Sequence, residues 1–494
     1  MLLGALSGVG LALSVSAGAF PPLAFVFSGA LILACSQART PRDAWLCGWS
    51  AGFAANAIIF YWIVELLRAF AHFPFAAALA VAALLWAAQG LNLAFCCWLI
   101  DVLSRRGAPR FVVAPVALTL FATLGPSLFP WRPSTALVDW TAYAQVAELG
   151  GAPLLDALAL FCGAMGAGAL SAWASGERSV LRRRARVLVF LLAFPVLYGT
   201  VRLPQIDDER RAAPSLRIGI VQPNISIESK HDPNRAPQNL QLLRRLTQRA
   251  RARGAELIVW PETMYPYPLH REQTHEPLDG RRIAAGVPML IGAITQSSRC
   301  DRWNSAVALD ANGEITGVSD KVELLAFGET VPLWEWLPPL QSMFPCPGLA
   351  RGERPQTLQV AGALIGPLNC YEDVLTEPAR SFAVSPDVLV NITNDAWFGD
   401  SAEPHLHHLA ARLRAVETRR DLVRAVNTGV SAHVDSTGRE VFTTQTFQED
   451  VRIAHVRRLS SQTWFVRFGD WTTPTLFAWL LALVVALRVR RSPS

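Results

Sequence analysis

The sequence predicts two parts of different class: a multi-pass α-helical membrane domain of about eight spans, and a layered α/β sandwich set between the last two spans. Three observations carry this reading. Residues 1–203 are dominated by apolar runs, many of the ~20-residue length that crosses a bilayer, and one more run closes the chain at 471–489. Residues 215–455 carry charges throughout and mix strand-like with helix-like periodicity. The whole-chain figures, 51% hydrophobic and 17% charged over 494 residues, average these two compositions and lie on the membrane side of globular usage. The predicted limits are 1–203 for seven spans, 204–214 for a linker, 215–457 for the soluble domain and 471–489 for the last span.

The spans are read at 2–19, 22–38, 44–66, 74–103, 110–130, 153–174, 186–203 and 471–489. Pro21 and Pro22 separate the first two, and Pro109 opens the fifth. The first lacks a basic leading region and a second follows at once, so it reads as a retained span and not a cleaved signal. Arginines follow alternate spans: Arg39 and Arg42; Arg105, Arg106 and Arg110; Arg178, Arg182, Arg183, Arg184 and Arg186; Arg488, Arg490 and Arg491. The opposite loops hold only Arg68 and Arg132. Positive residues concentrate on the cytoplasmic side, so both termini are expected in the cytoplasm and the soluble domain outside it. These clusters supply the net charge of +6, which therefore gives no reason to expect nucleic acid.

In the loop 131–152, alongside Asp139 and Glu148, the aromatic residues Trp131, Trp140 and Tyr143 read as interface anchors, with a share in a substrate path as the other reading. Glu65 and Arg68, three apart, either pair on one helix face or reach separately toward the interface; the second is preferred. Cys35, Cys47, Cys96, Cys97 and Cys162 lie in apolar runs and read as packing residues.

In the soluble part, Leu216 to Val221 alternates as a first strand, and 239–253 is an amphipathic helix with Leu240, Leu243, Leu246 and Ala250 on one face. Strands follow at 256–260, halted by Pro261, then at 289–295, 305–309 and 315–318; Asp310-Ala311-Asn312-Gly313 joins the last two as a hairpin. An apolar run, Val360 to Ile365, leads to Cys370. A helix near 376–384, a buried strand at 387–393, a helix over 402–419 and strands at 422–426 and 429–435 complete the domain.

Three strand ends carry reactive groups. Glu262 follows a buried strand in Trp260-Pro261-Glu262, Lys321 follows the hairpin, and Cys370 sits where a strand gives way to a polar turn. Each alone is ordinary: a lone Cys is often inert filler, and the Glu and Lys would usually be solvated. Together they supply a thiol, a carboxylate to take its proton, and a cation that, with the backbone N–H of Tyr371, would stabilise a tetrahedral oxyanion.

The set Trp260-Pro261-Glu262, Lys321 with Phe327-Gly328-Glu329, Cys370-Tyr371-Glu372 and Asn394 to Gly399 resembles the Glu-Lys-Cys enzymes of the nitrilase superfamily. Joined to the eight-span layout, it resembles the bacterial apolipoprotein N-acyltransferases along nearly the whole chain. That resemblance implies a nitrilase-like α-β-β-α sandwich at 215–457 and a ping-pong acyl transfer with Glu262, Lys321 and Cys370 as triad. Glu329, Tyr371 and Glu372 would support it. The thiol would take a fatty acyl chain from a membrane phospholipid as a thioester. The N-terminal amine of a diacylglyceryl-cysteine apolipoprotein would accept the chain, with no cofactor and no metal. The location implied is the inner membrane, with a periplasmic catalytic domain. The competing reading is a membrane-anchored amidohydrolase for a small amide. Ala326, Thr330 and Val322-Glu323 depart from the family's usual pattern, which puts acyl-pocket shape in doubt.

The segment Val331 to Cys346 is unusually apolar for a connection, with Trp334, Trp336, Leu337, Met343 and Phe344. It either packs on its own domain or forms an arm that touches the bilayer. Trp334, Trp336 and Trp397 are the candidate lipid contacts. His405, His407 and His408 lack a partnering metal motif and read as a helix start. Cys300 and Cys346 would face an oxidising space, which leaves both a free and a paired state open.

Overall fold

The computed structural model describes residues 1–16, 21–130, 132–283, 285–326, 328–331, 334–336, 338–343, 346–384 and 386–489. Trp131, Phe327, Leu337, Phe344, Arg490 and Arg491, all named above, lie outside the described residues, as does the side chain of Met343. The chain divides into two units: Met1–Pro204 with Ser401–Leu409 and Phe468–Ser494, and Gln205–Asp400 with Ala410–Arg467.

The first unit is helical, and its helices begin and end where local chemistry dictates. Helix Pro41–Ile59 starts in a capping box: Thr40 Oγ1 accepts from the Asp43 N–H and the Asp43 carboxylate accepts from the Thr40 N–H, with Pro41 in the first turn. It packs closely on Phe75–Arg105 because both faces are bare at the crossing. A Cβ on Gly52 would lie 2.7 Å from the Gly90 Cα.

Among the described residues, four helices are long and apolar enough to cross a membrane: Phe75–Arg105, Ala147–Ala174, Arg178–Ala212 and Thr472–Val489. A fifth arises if Pro41–Ile59 and Ile63–Ala69, bent by 54°, count as one span. Leu2–Val15, Leu23–Ser36 and Arg110–Leu124 are apolar helices at the expected places but only 14, 14 and 15 residues long. Of the eight segments expected as spans, four or five thus qualify by length and composition among the described residues, and three form shorter apolar helices. The third short helix stops at Gly125-Pro126, where the residue before proline is driven out of the helical region.

Three carboxylates buried among the apolar helices are held by arginine. Asp101 pairs with Arg105 at 2.5 Å and Arg110 at 3.2 Å, Asp156 with Arg132 at 2.7 Å, and Glu148 with Arg202 at 2.9 Å. Two expectations are corrected here. Tyr143 is no interface anchor: it is 1% exposed and meets Phe25 edge-on, and 141–144 is a helical turn. Glu65 and Arg68 do pair, at 2.9 Å on an exposed face, where such a bridge is worth only ~0–1 kcal/mol.

The second unit has four layers. One sheet runs in the order β13-β1-β2-β4-β5-β6, with β3 beside β4; the other runs β12-β11-β10-β9-β8-β7. The first comprises β1 (Ser215–Gln222), β2 (Leu257–Val259), β3 (Leu269–His270), β4 (Met289–Gln296), β5 (Arg302–Leu309), β6 (Ile315–Asp320) and β13 (Asp450–Arg457). The second comprises β7 (Leu358–Val360), β8 (Ala363–Asn369), β9 (Val388–Thr393), β10 (Asp421–Val426), β11 (Ala432–Val434) and β12 (Glu440–Thr443).

Ile218, Ile220, Val259, Leu290, Ile365, Val390, Ile392 and Val423 fill the space between the sheets, each worth about 1.5–3 kcal/mol of burial. Leu240, Leu243, Leu246 and Ala250 of helix Ala236–Ala252 cover the outer face of the first sheet. Helices Thr376–Phe382 and Glu403–Thr418 cover the second through Ala379, Phe382, Ala411 and Ala415. This is the expected α-β-β-α sandwich.

Three sequence expectations fail locally. The linker at 204–214 is instead the end of helix Arg178–Ala212, because Asp207 to Arg211 suit a helix and Arg210 is clasped by buried Asp421. The apolar run 360–365 is split between β7 and β8, with Ala361 and Gly362 in the left-handed region at the turn. Strand β13, unassigned above, pairs antiparallel with β1 from Ser215↔Arg457 to Gln222↔Asp450.

Candidate active site

The parallel strands β8 and β9 end side by side, at Asn369 and Thr393, so the residues that follow emerge at one edge of the sandwich. Cys370 begins a 3-10 turn, Cys370–Asp373, and adopts φ 50°, a left-handed conformation that only local constraint holds for a residue with a Cβ. The constraint is visible. Glu372 accepts the Asn369 N–H at 2.8 Å and the Val322 and Glu323 N–H groups at 2.8 and 2.9 Å, tying the Cys370 turn to the chain after Lys321. Asn391 donates to the Cys370 carbonyl at 2.9 Å. Arg424, fully buried, donates to Asp373 at 3.1 Å and to Asn391 at 3.3 Å. It is the backbone N–H groups of Val322 and Glu323 that make these bonds, while the Glu323 carboxylate pairs with Arg351 at 2.6 Å.

Lys321, 2% exposed, lies between two carboxylates: its Nζ is 2.8 Å from Glu329 and 3.4 Å from Glu262. Asn304 of β5 joins the same carboxylates, donating from Nδ2 to Glu262 at 2.6 Å and to Glu329 at 3.0 Å. Glu262 also accepts the Asn394 N–H at 3.1 Å, and Glu329 the Leu325 N–H at 2.9 Å. Burial alone would push the Lys321 ammonium down, but the charges of Glu262, Cys370 and Glu329 hold it above the ordinary lysine range. It is a fixed cation.

Cys370 is partly exposed as a residue, yet desolvation dominates at its thiol and pushes it well up. Glu262, Asp395 and Glu329 push in the same direction, and Lys321 opposes them. The resting group is therefore the neutral thiol, which needs a base at the moment of attack. Burial likewise lifts the Glu372 carboxyl to about 7, against three backbone N–H donors and the Lys321 charge.

The structure thus brings Glu262, Lys321 and Glu329 into direct contact and puts the Cys370 thiol within their electrostatic reach. Tyr371 is half-buried in the turn Cys370–Asp373. Trp397 is half-buried, its ring 5.6 Å from that of His231. Trp334 and Trp336 lie on the excursion after Glu329, Trp336 being 79% exposed. The base of that excursion is closed by backbone bonds, Val331 N–H to Pro347 at 2.9 Å and Leu349 N–H to Glu329 at 2.7 Å, and by a disulfide between Cys300 and Cys346. Thr330 pairs there with Gly348, whose φ is 112° and where an added Cβ would lie 2.3 Å from the Glu329 carbonyl oxygen.

Sequence reasoning missed Asn304 and Lys230. The first lies one residue before the 305–309 run read as a strand, and β5 in fact begins at Arg302. The second, in Ser229-Lys230-His231, has the composition of a solvated turn.

Comparison with known proteins follows the same division. The carbon-nitrogen hydrolase family model matches residues 217–464, and the model of the apolipoprotein N-acyltransferase N-terminal domain matches residues 7–165. An apolipoprotein N-acyltransferase of Geobacter metallireducens is 31% identical over 510 aligned positions, covering 99% of this chain and 95% of that protein. One from Azotobacter vinelandii is 32% identical, covering 96% and 95%. Among solved structures, an amidase from Nesterenkonia sp. aligns with 53% of this chain and 96% of its own at 19% identity and a TM-score of 0.38.

Proposed function

The chain belongs to the apolipoprotein N-acyltransferase family, its activity is lipoprotein N-acylation, and we propose that Glu262, Lys321 and Cys370 carry that reaction. The observation that supports this most is a buried lysine held by two carboxylates beside a desolvated thiol. Glu262 takes the thiol proton as the sulfur attacks the ester carbonyl of a membrane phospholipid, and the tetrahedral oxyanion forms against the Lys321 ammonium. Collapse expels lysophospholipid, whose alkoxide recovers the proton from Glu262, and leaves an acyl thioester on Cys370. The α-amine of a diacylglyceryl-cysteine then attacks the thioester. Glu262 receives the amine proton and returns it to the departing sulfur. Glu329 and Asn304 hold Lys321 and Glu262 in register, and Glu372 holds the turn that presents the thiol.

The catalytic unit is placed on the periplasmic side of the inner membrane, with both termini in the cytoplasm and eight apolar helices in the bilayer. The arginine clusters support that orientation, and so does the Cys300–Cys346 disulfide, a bond that persists in oxidising compartments. A small-amide hydrolase is disfavoured, because the acyltransferase relatives align along the apolar half as well as the catalytic one.

The test uses the purified full-length protein in detergent with acyl-labelled phospholipid. A hydroxylamine-labile acyl group should appear on Cys370 and discharge onto a diacylglyceryl lipopeptide bearing a free amine. Product formation without any adduct at Cys370, or discharge to water at the same rate with and without lipopeptide, would overturn the proposal.

A further inference from the structure

The charges around the thiol do not balance within the triad and its supports. Three carboxylates, Glu262, Glu329 and Asp395, act on Cys370; Asp395 has the Arg424 guanidinium at 4.0 Å, which leaves the Lys321 ammonium against the other two. Such a surplus of negative charge opposes the thiolate on which the attack depends. A second cation is present. Lys230, in the short helix Ile227–His231, donates a hydrogen bond to Thr263 Oγ1, the residue after Glu262, and its charge interacts with both Glu262 and Cys370. Thr263 itself adopts φ 49°, so the hydroxyl that accepts the Lys230 bond belongs to a residue held in the left-handed region directly behind the base.

We propose that Lys230 is a positioning residue for the acylation half-reaction: its ammonium fixes Thr263 behind Glu262 and offsets the carboxylate charge at Cys370, so that the proton can leave the thiol. The proposal rests on the reading of Cys370 as nucleophile. Lysine suits the role because its charge is conditional. Desolvation brings Lys230 down to about 8, with Glu262 and Cys370 opposing that fall. The groups that face it are Glu262 beyond β2, Cys370 beyond β8 and, on its own helix, His231, which Lys230 and burial together push down. Below about pH 8 the second cation is present, and above it the site falls back on Lys321 alone.

The experiment reads the thiol directly, by the rate of Cys370 alkylation with iodoacetamide in the full-length protein between pH 6.5 and 10, located by peptide mass. Lys230→Met should alkylate about tenfold more slowly than wild type at pH 7, with the two curves converging above pH 9. Lys230→Arg, charged throughout, should match wild type at pH 7 and exceed it above pH 9. A purely structural role predicts a ratio that does not change with pH, and that result, or equal rates for Lys230→Met and wild type at pH 7, overturns the proposal. Should the Met variant fail to fold, the Arg variant against wild type alone decides, since coincident profiles refute a conditional charge. Alkylation is independent of acyl transfer: a missing thioester on Cys370 would sink the proposed function and leave these profiles to be read.

Discussion

Replacing Asn304 with leucine probes the site where the structure is most explicit. The side chains are similar in size, so the change removes the amide and leaves the strand. Two bonds are lost, at 2.6 Å to Glu262 and 3.0 Å to Glu329. Hydrogen bonds to charged groups are worth about 1.5–3 kcal/mol each, but the two carboxylates are not equally dependent. Glu329 keeps Lys321 at 2.8 Å and the Leu325 N–H, whereas Glu262 keeps only the Asn394 N–H and the longer 3.4 Å approach of Lys321. The shorter bond should therefore dominate, at about 2–3 kcal/mol of positioning of the base. At 1.36 kcal/mol per tenfold, thioester formation should slow by roughly 30- to 150-fold. Single-turnover acylation of Cys370, followed by intact mass with phospholipid in excess, measures this without the second half-reaction. A rate within threefold of wild type, in a variant with unchanged thermal stability, would show that Asn304 does not hold the base and that this account of the carboxylate pair is wrong.

Changing Trp334 and Trp336 together to serine should slow acylation by phospholipid tenfold or more yet spare a small soluble thioester donor; equal losses with the two donors would mean that the excursion only stabilises its own domain. Glu372 sets a pH dependence of stability. Its folded value near 7 exceeds the ordinary 4.5, so the folded protein keeps a proton that the unfolded chain releases. The resulting stability is complete below pH 4.5 and lost as the pH climbs through 7, on the order of 3 kcal/mol across the window. Thermal unfolding in detergent from pH 5 to 7.5 should show this decline in wild type and a flatter profile in Glu372→Gln; parallel profiles would discount the group. Cys346→Ser should raise the susceptibility of the 331–346 segment to limited proteolysis and lower acylation several-fold, because the bonds that hold Glu329 sit at the base the disulfide closes. An unchanged digestion pattern would show that the backbone bonds suffice.

How much of this was legible in the sequence depends on the kind of signal. The candidate triad was readable because each member directly follows a segment read as a strand; that β2 and β6 of one sheet and β8 of the other bring those ends together was not. The helix Ala236–Ala252 was readable from its leucine spacing. The span count was not, because composition marks a segment as apolar but does not say where a proline or a glycine ends the helix inside it. Helix Arg178–Ala212 runs through Pro195, which the expected seventh span also contained, and on through Pro204, where the linker was expected to begin. Lys230 and Asn304 were illegible for another reason. Their roles come from partners 33 and 42 residues away, and nothing in the local pattern records a tertiary neighbour. Strand β13 did have a signal, the alternation Val451, Ile453 and His455 against Arg452, Ala454 and Val456, but its mixed polarity on each face hides the period.

The pairing of β13 with β1 has a consequence for how the protein is made. The first strand of the catalytic sheet waits for the last: about 230 residues, including every candidate active-site group, are synthesised between Gln222 and Asp450. Such late closure of distant ends is slow. Until it happens, β1 presents one bare edge to whatever passes, and a ribosome stalled before residue 450 would release a fragment that has its cysteine and both its glutamates but no finished sheet to hold them.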